Sequence, residues 1–264
     1  MPLLAGTTRP EHRLTVIATL ALVTILCWAY VVRVAGAPGM AATMPMDMPG
    51  MEMTSMGLAG PSAASLLSLF AMWVAMMAGM MLPAVLPTVL LFMSMARQRR
   101  QTQRAALSVP AFVGGYLAVW TGFSALAALL QTRLSVALLD LAPGSRPLAF
   151  AAGAMLLLTG LYQWTAFKAT CLSHCRSPIA HFTAHWREGA AGALRMGMEH
   201  GVLCLACCWL LMGLLFVGGV MNPLWVGALA LLVLLEKVVP RGDIVGRIVG
   251  AGLAVWGVVL MMRG

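Results

Sequence analysis

A series of long apolar stretches limits the fold of this chain more than any other feature. A helix of about 20 apolar residues crosses roughly 30 Å of hydrocarbon. Only 9% of the residues are charged, compared with about 25% in soluble domains. The sequence therefore predicts an all-α, polytopic transmembrane helix bundle with about six to seven spans. The predicted spans are Leu14–Val32, Ala64–Met95, Val109–Leu130, Leu148–Phe167, His200–Val220, Leu224–Leu235 and Ile244–Met262.

Two of these spans contain residues that are unusual in a membrane helix. Pro83 and Pro87 fall in the middle of the second span, which predicts a kinked or broken helix because proline removes a backbone donor. Arg247 lies near the start of the last span, which leaves open whether Val245–Met262 crosses the membrane.

The distribution of positive charge predicts the orientation. Most of the 17 Lys and Arg residues fall on one side of these spans, and the other side holds only Arg33, Arg133, Arg146 and Arg263. Cytoplasmic loops carry the excess of Lys and Arg. We therefore expect a multi-pass protein of the bacterial inner membrane with a cytoplasmic N-terminus. Residues 1–34 form the tail and first helix, residues 35–61 a periplasmic loop, and residues 62–264 a metal-binding helical domain.

The outer loop is rich in methionine. Proline and glycine between its methionines exclude a long helix, so these side chains are not explained by a packed core. Thioether sulfur is a soft ligand that favours Cu(I). The loop is therefore interpreted as a copper-capture segment, and the alternative is a linker whose methionine content is incidental. The methionines are Met40, Met44, Met46, Met48, Met51, Met53 and Met56.

Methionines continue into the second span. Met72, Met76 and Met80 follow at a spacing of four, so they share one helix face, and Met77 and Met81 share a neighbouring face. They form either a metal path that continues the outer loop or the ordinary filling of a helix contact.

Two cysteine clusters flank the predicted cytoplasmic segment. In KATCLSHCRSP, Cys171, His174 and Cys175 share one face if the fourth helix continues through them. A CxxC within a helix gives strained disulfide geometry and favours metal or redox chemistry. If the two helix ends meet, they form one thiol-rich site near the cytoplasmic interface; the alternative is cysteine in a merely apolar role. The second cluster, in EHGVLCLACCWLLMG, contains His200, Cys204, Cys207, Cys208 and Met212.

Glu236 and Lys237 end the predicted sixth span. Ionisable groups at such positions pair with each other or face the protein interior. We expect them to form a mutual or interhelical salt bridge, with Glu236 as a carboxylate neighbour of the thiol site.

Three segments together resemble a bacterial family of predicted metal-binding integral membrane proteins, long described as a domain of unknown function. They are AMWVAMMAGMMLP, KATCLSHCRSP and MGMEHGVLCLACCWLLMGLLFVGGVMNPLWVGALALLVLLEKVVP, within Leu66–Pro240. Some members are described as copper chaperones that serve copper enzymes such as tyrosinases. The resemblance does not extend to the methionine-rich loop. It implies functional roles for Met72, Trp73, Met76, Met77, Met80, Met81, Cys171, Cys175, Arg176, Cys204, Cys207, Cys208, Trp209, Met221, Asn222, Glu236 and Lys237.

These patterns favour a membrane protein that handles Cu(I), with a copper enzyme or copper-transfer protein as its partner and no nucleic acid. Two alternatives remain open: a membrane thiol–disulfide electron carrier, or a non-catalytic subunit of a larger membrane complex. The sequence contains no phosphate-binding loop and no Ser/His/Asp arrangement, so we do not expect an enzyme. The oligomeric state is not predicted.

Overall fold

A computed structural model describes residues 10–36, 63–98, 105–137 and 145–263 of the chain, and these form an all-α bundle. The predicted fold class is confirmed. The seven methionines of the predicted capture loop, Met40 to Met56, lie outside the described residues. In chain order the helices are α1 (Pro10–Ala35), α2 (Ala63–Gln98), α3 (Ala105–Ala137), α4 (Arg146–Tyr162), α5 (Ala166–Arg176), α6 (Ile179–Ala184), α7 (Gly189–Gly213), α8 (Leu215–Gly218), α9 (Pro223–Val238) and α10 (Gly242–Arg263).

Within the described ranges, five helical segments are long and apolar enough to cross a membrane. They are Glu11–Ala35, Ala63–Gln98, Leu107–Ser135, Gly189–Gly218 and Gly242–Arg263. The bent pair α4 and α5 provides a sixth if it counts as one span. The predicted sixth span corresponds to α9, whose 16 residues make about 24 Å of helix, shorter than the hydrocarbon layer. Because of Arg247, the sequence left open whether the last segment crosses the membrane. In the structure, this segment, Gly242–Arg263, has the length and apolarity of a span.

The fourth helix does not continue through Cys171 and Cys175, which was the condition for the shared face considered in the sequence analysis. Helix α4 ends at Tyr162, and α5 begins at Ala166 with a bend of 64°. The side chain of Thr165 accepts a hydrogen bond of 3.2 Å from the backbone N–H of Lys168. This N-cap starts a new helix, and α5 then folds against α7 and α9.

A kinked or broken helix was predicted for the second span, and the break is not observed, because α2 is continuous through Pro83 and Pro87. Pro83 has no N–H to donate to the carbonyl of Gly79, one turn earlier. The indole Nε1 of Trp28 in α1 donates to that carbonyl at 3.3 Å. A donor from the neighbouring helix therefore replaces the missing bond.

Glycines allow α3 and α7 to pack with their backbones in contact. A Cβ added at Gly197 of α7 would lie 2.0 Å from the carbonyl oxygen of Phe112, and one at Gly115 of α3 would lie 2.0 Å from that of Leu194. Small residues at a crossing permit such an approach between membrane helices. This contact holds the face of α7 that carries the cysteines against Tyr116 of α3.

A second glycine-mediated crossing joins α4 to α10. A Cβ at Gly257 would lie 2.5 Å from the carbonyl oxygen of Gly153, and one at Gly160 would lie 2.5 Å from that of Gly250. Helix α10 also packs on α9. Helix α7 starts at Gly189, well before the predicted start at His200, so its cysteines lie in the body of the helix and not at its end.

Candidate metal centre

Five of the six cysteines lie on α5 and α7, and their side chains are buried. All are free thiols. The exposed fraction is 6% for Cys171, 7% for Cys175 and 1% for each of the three cysteines of α7. The sixth, Cys27, is partly buried on α1. The structure therefore places the cysteines of both sequence clusters in the interior.

Four of these thiols are connected in series by side-chain interactions, and we call them the thiol cluster: Cys175, Cys204, Cys207 and Cys208. The thiol of Cys175 on α5 contacts that of Cys207 on α7, and Cys207 contacts Cys208. Cys204 contacts Cys208 in turn. Cys171 lies one turn before Cys175 and interacts electrostatically with Cys207. The two cysteine motifs thus converge on one point from two helices.

Hydrogen bonds also link the cysteines of α7 to the helix backbone. The thiols of Cys207 and Cys208 each donate to the carbonyl oxygen of Cys204 at 3.0 Å. These two hydrogen bonds hold the sulfur atoms of Cys207 and Cys208 close to Cys204. The three sulfur atoms therefore remain on one side of the helix.

Two polar side chains from other helices reach Cys204. Lys237 of α9 donates from Nζ to the Cys204 Sγ at 2.8 Å. The hydroxyl of Tyr116 on α3 lies 3.0 Å from the same sulfur and also donates to the carbonyl of Met81 on α2 at 3.4 Å. An ammonium at this distance stabilises the anionic form of a thiol. Cys204 is therefore well placed to act as a thiolate ligand.

Arg176 ties the helix that carries Cys175 to the end of α9. Its guanidinium donates from Nη2 to the carbonyl oxygens of Val239 at 2.7 Å and Pro240 at 2.5 Å. Asp243 lies 3.7 Å from Nη1. These bonds hold α5 beside the last turn of α9, where Lys237 lies. Arg176 thereby helps to bring Cys175 and Lys237 to the same site.

Glu236 and Lys237 do not pair with each other; each binds a residue of another helix. Lys168 of α5 donates from Nζ to the Glu236 carboxylate at 2.8 and 2.9 Å, and also to Oε1 of Gln163. Consecutive helix residues point in different directions, so a mutual pair is disfavoured. Of the two predicted arrangements, Glu236 forms the interhelical salt bridge, and Lys237 instead donates to the sulfur of Cys204. Lys168, which counted as a cytoplasmic loop charge in the sequence, is only 2% exposed.

The two predicted histidine ligands lie in different surroundings. His174 is exposed, and its Nδ1 lies 2.8 Å from the carbonyl oxygen of Thr170. His200 is buried, with its ring centroid 6.0 to 6.3 Å from those of Phe112, Tyr116 and Phe182. The structure therefore leaves the side chain of His174 exposed beside the buried cysteines of α5, and it places the ring of His200 within an aromatic cluster.

The predicted methionine ligands are all buried. Helix α2 packs on α1, α3 and α9, and its methionines enter these contacts on more than one face. Met212 of α7 is also fully buried. We call the α2 set the methionine stripe: Met72, Met76, Met77, Met80 and Met81.

The sequence did not identify three residues that the structure places at or near the site: Tyr116, Gln163 and Lys168. Tyr116 lies inside an apolar stretch with no neighbouring motif, and Lys168 directly follows the predicted fourth span, where a charge is expected in a loop. The one usable signal was that Lys168 lies three residues before Cys171, which places it on the same helical face.

Across the part of the chain that the structure describes, no group of three or more His, Cys, Asp and Glu side chains is spaced to hold a metal ion. The thiols contact one another and the backbone instead. Cu(I) prefers two or three soft ligands, a smaller set than the four ligands of a structural zinc site. The sulfur donors of the thiol cluster are therefore compatible with Cu(I).

Comparison with known families agrees with this chemistry. A family model described as PpoB2, copper chaperone, matches residues 70–260. The matched segment contains the thiol cluster, the methionine stripe, Glu236 and Lys237, and it begins at residue 70, after the last methionine of the predicted capture loop, Met56. No curated protein and no solved structure matches the chain. Because the match covers most of the sequence, the chain belongs to the PpoB2 family of copper chaperones.

Proposed function

We propose that this chain is an integral membrane protein that binds Cu(I) through cysteine thiolates and passes it to another copper protein without catalysing a reaction. The observation that carries the proposal is the contact among four buried thiols from two helices. Thiolate sulfur is the side-chain donor that selects Cu(I) most strongly. Membership in a copper-chaperone family supports the same cargo.

The environment of the thiol cluster favours exchange over permanent storage. Cu(I) needs only two or three of the available sulfur atoms, so a further thiol remains beside the bound ion. An incoming thiolate can then replace one ligand while another stays attached. A stepwise exchange of this kind suits delivery to a copper enzyme or a copper-transfer protein.

The long apolar helices support a membrane location, with the arginine-rich ends of the helices in the cytoplasm. Phe92 near the end of α2 stacks on Phe112 near the start of α3, at 4.6 Å between ring centroids, and on Trp186 just before α7, at 5.4 Å. Arg97 follows Phe92 by five residues, and Arg187 directly follows Trp186. This clustering of positive charge agrees with a cytoplasmic face.

In the complete proposal, the methionines from Met40 to Met56 capture Cu(I) outside the membrane. The methionine stripe follows directly in sequence and carries softer, weaker donors than the thiol cluster. Thioethers bind Cu(I) without losing a proton, whereas thiols must release one. The ion would therefore move from weaker outer sites to stronger inner ones.

The test compares two cysteine substitutions in the full-length, detergent-solubilised protein. Cys204→Ser combined with Cys208→Ser should abolish most of the tightly bound Cu(I), because both sulfur atoms leave the thiol cluster. Copper content and the copper–sulfur X-ray absorption edge measure the loss. Cys27→Ser is the matched control, because Cys27 lies on α1, and this variant should bind as much copper as the wild type.

Unchanged copper content in the double variant would refute the thiol site. A disulfide between Cys175 and Cys207, trapped by alkylation in growing cells and responsive to a partner thiol protein, would instead favour a thiol–disulfide electron carrier. Copper transport requires these thiols to be reduced or metal-bound.

A further inference from the structure

The charges around the thiol cluster are not balanced in the same way on its two sides. On one side, Lys168 and Glu236 neutralise each other through a salt bridge of 2.8 Å, with both side chains almost fully buried. On the other side, Lys237 directs its ammonium to Cys204 at 2.8 Å. Among the ion pairs formed by described residues, none joins Lys237 to a carboxylate. The cluster therefore has one positive charge to balance.

The charge of Lys237 reaches more than one thiol. It interacts electrostatically with Cys204, Cys207 and Cys208, and with the hydroxyl of Tyr116. Tyr116 is neutral, and the Lys168–Glu236 pair has no net charge. Arg176 is partly exposed and is held by the carbonyl groups after α9. Lys237 is thus the cation placed to respond to charge on the cluster.

Cu(I) binding adds a matching negative charge. Two thiols lose their protons to solvent, two Cu–S bonds form, and copper remains Cu(I). The resulting two-thiolate centre carries one negative charge, which the ammonium of Lys237 offsets. A divalent ion on the same two thiolates makes a neutral centre and leaves the ammonium unbalanced. Lys237 is partly buried, and an unbalanced charge that is held partly away from water is unfavourable.

We propose that Lys237 is the counter-charge of the copper site and makes that site prefer a monovalent ion to a divalent ion on the same pair of thiolates. This inference rests on the proposed function. It assigns Lys237 a role in metal specificity through Cys204, and not a role as a metal ligand.

Hg(II) is the matched probe for this proposal because it also binds two thiolates in a linear arrangement but carries one more positive charge than Cu(I). The experiment uses the full chain in detergent under reducing conditions. Affinities for Cu(I) and for Hg(II) are each measured by competition with a soluble dithiol. The quantity of interest is the ratio of the two affinities, because a general loss of folding lowers both together.

The variants are Lys237→Gln and Lys237→Met, and the first keeps a hydrogen-bond donor near the Cys204 sulfur. Either one should lower the Cu(I)-to-Hg(II) affinity ratio by at least about tenfold, as expected for one lost charge near the site. Lys237→Arg should retain the ratio. Arg195→Met should also retain it, because Arg195 is an exposed cation on α7 that pairs with Glu199.

Equal losses of both affinities in the two neutral variants would overturn the proposal, because a structural role predicts them. An unchanged ratio in a folded neutral variant would overturn it as well. If the wild type binds Hg(II) but not Cu(I), the proposed function itself fails, and the inference fails with it. If only the ratio fails to change, copper binding stands and the role of Lys237 is refuted.

Discussion

The thiol cluster and the methionine stripe are both buried and rich in sulfur, but they are built differently. The thiol cluster combines side chains from α5 and α7 and receives an ammonium and a hydroxyl from α9 and α3. The methionine stripe lies on one helix, and its side chains enter packing contacts with α1, α3 and α9. The comparison shows that a candidate metal centre is distinguished by convergence and polar partners, and not by sulfur content alone.

The two regions also differ in what stabilises them. Next to the thiol cluster, the bundle depends on the buried Lys168–Glu236 salt bridge and on close helix crossings. Around the methionine stripe, it depends on apolar packing. Methionine fills irregular gaps and tolerates replacement. Substitutions beside the thiol cluster should therefore lower the free energy of unfolding more than substitutions in the methionine stripe.

The largest expected effect is the loss of Lys168. Lys168→Met leaves the Glu236 carboxylate buried without its cation, which should lower the free energy of unfolding by about 3–5 kcal/mol. Thermal unfolding of the detergent-solubilised protein measures the change. The double variant Lys168→Met with Glu236→Met should recover most of the stability. A single variant as stable as the wild type would show that the salt bridge does not support the site.

The next effect concerns the crossing of α3 and α7. Gly197→Ala places a Cβ where it would lie 2.0 Å from the Phe112 carbonyl oxygen. The helices must separate, at a cost of about 1–3 kcal/mol, and Tyr116 should move away from Cys204. Gly122→Ala on α3 is the matched control, because its added Cβ meets nothing within 4 Å. Unfolding midpoints of the two variants test the difference, and equal midpoints would contradict it.

A smaller effect is expected where α1 supports α2. Trp28→Phe removes the indole N–H that reaches the Gly79 carbonyl, the group left unpaired by Pro83. The loss should be about 1–2 kcal/mol in the free energy of unfolding, with copper content unchanged. If copper binding falls in step with stability, the two regions are coupled more strongly than their separate packing implies.

The smallest expected effect is a substitution in the methionine stripe. Met76→Leu keeps volume and apolarity, so the free energy of unfolding should change by less than about 1.5 kcal/mol. Tightly bound Cu(I) should stay at the wild-type level when measured beside the Cys204 and Cys208 double variant. A comparable loss of copper in both variants would place the stripe within the tight binding site and remove the distinction between the regions.

Much of the architecture could be predicted because it follows from local pattern. Apolar length identified the five described spans that are long enough to cross a membrane, but it also gave Leu224–Leu235, which belongs to the shorter helix α9. Helical spacing placed Cys204, Cys207 and Cys208 together on α7. The start of α7 and the break between α4 and α5 were missed. The break depends on one capping bond from Thr165, a signal too small to outweigh an apolar pattern that continues up to Phe167.

By itself, the sequence determined the all-α bundle, the family and the supply of soft sulfur donors, because composition and helical periodicity act within single segments. The tertiary structure alone decided which donors meet. It joined Cys175 to Cys207 across two helices, turned His174 outward and buried Lys168 against Glu236. It also directed Lys237 to Cys204. These contacts link residues far apart in the chain, and their partners depend on the angles at which the helices cross, which no single segment specifies.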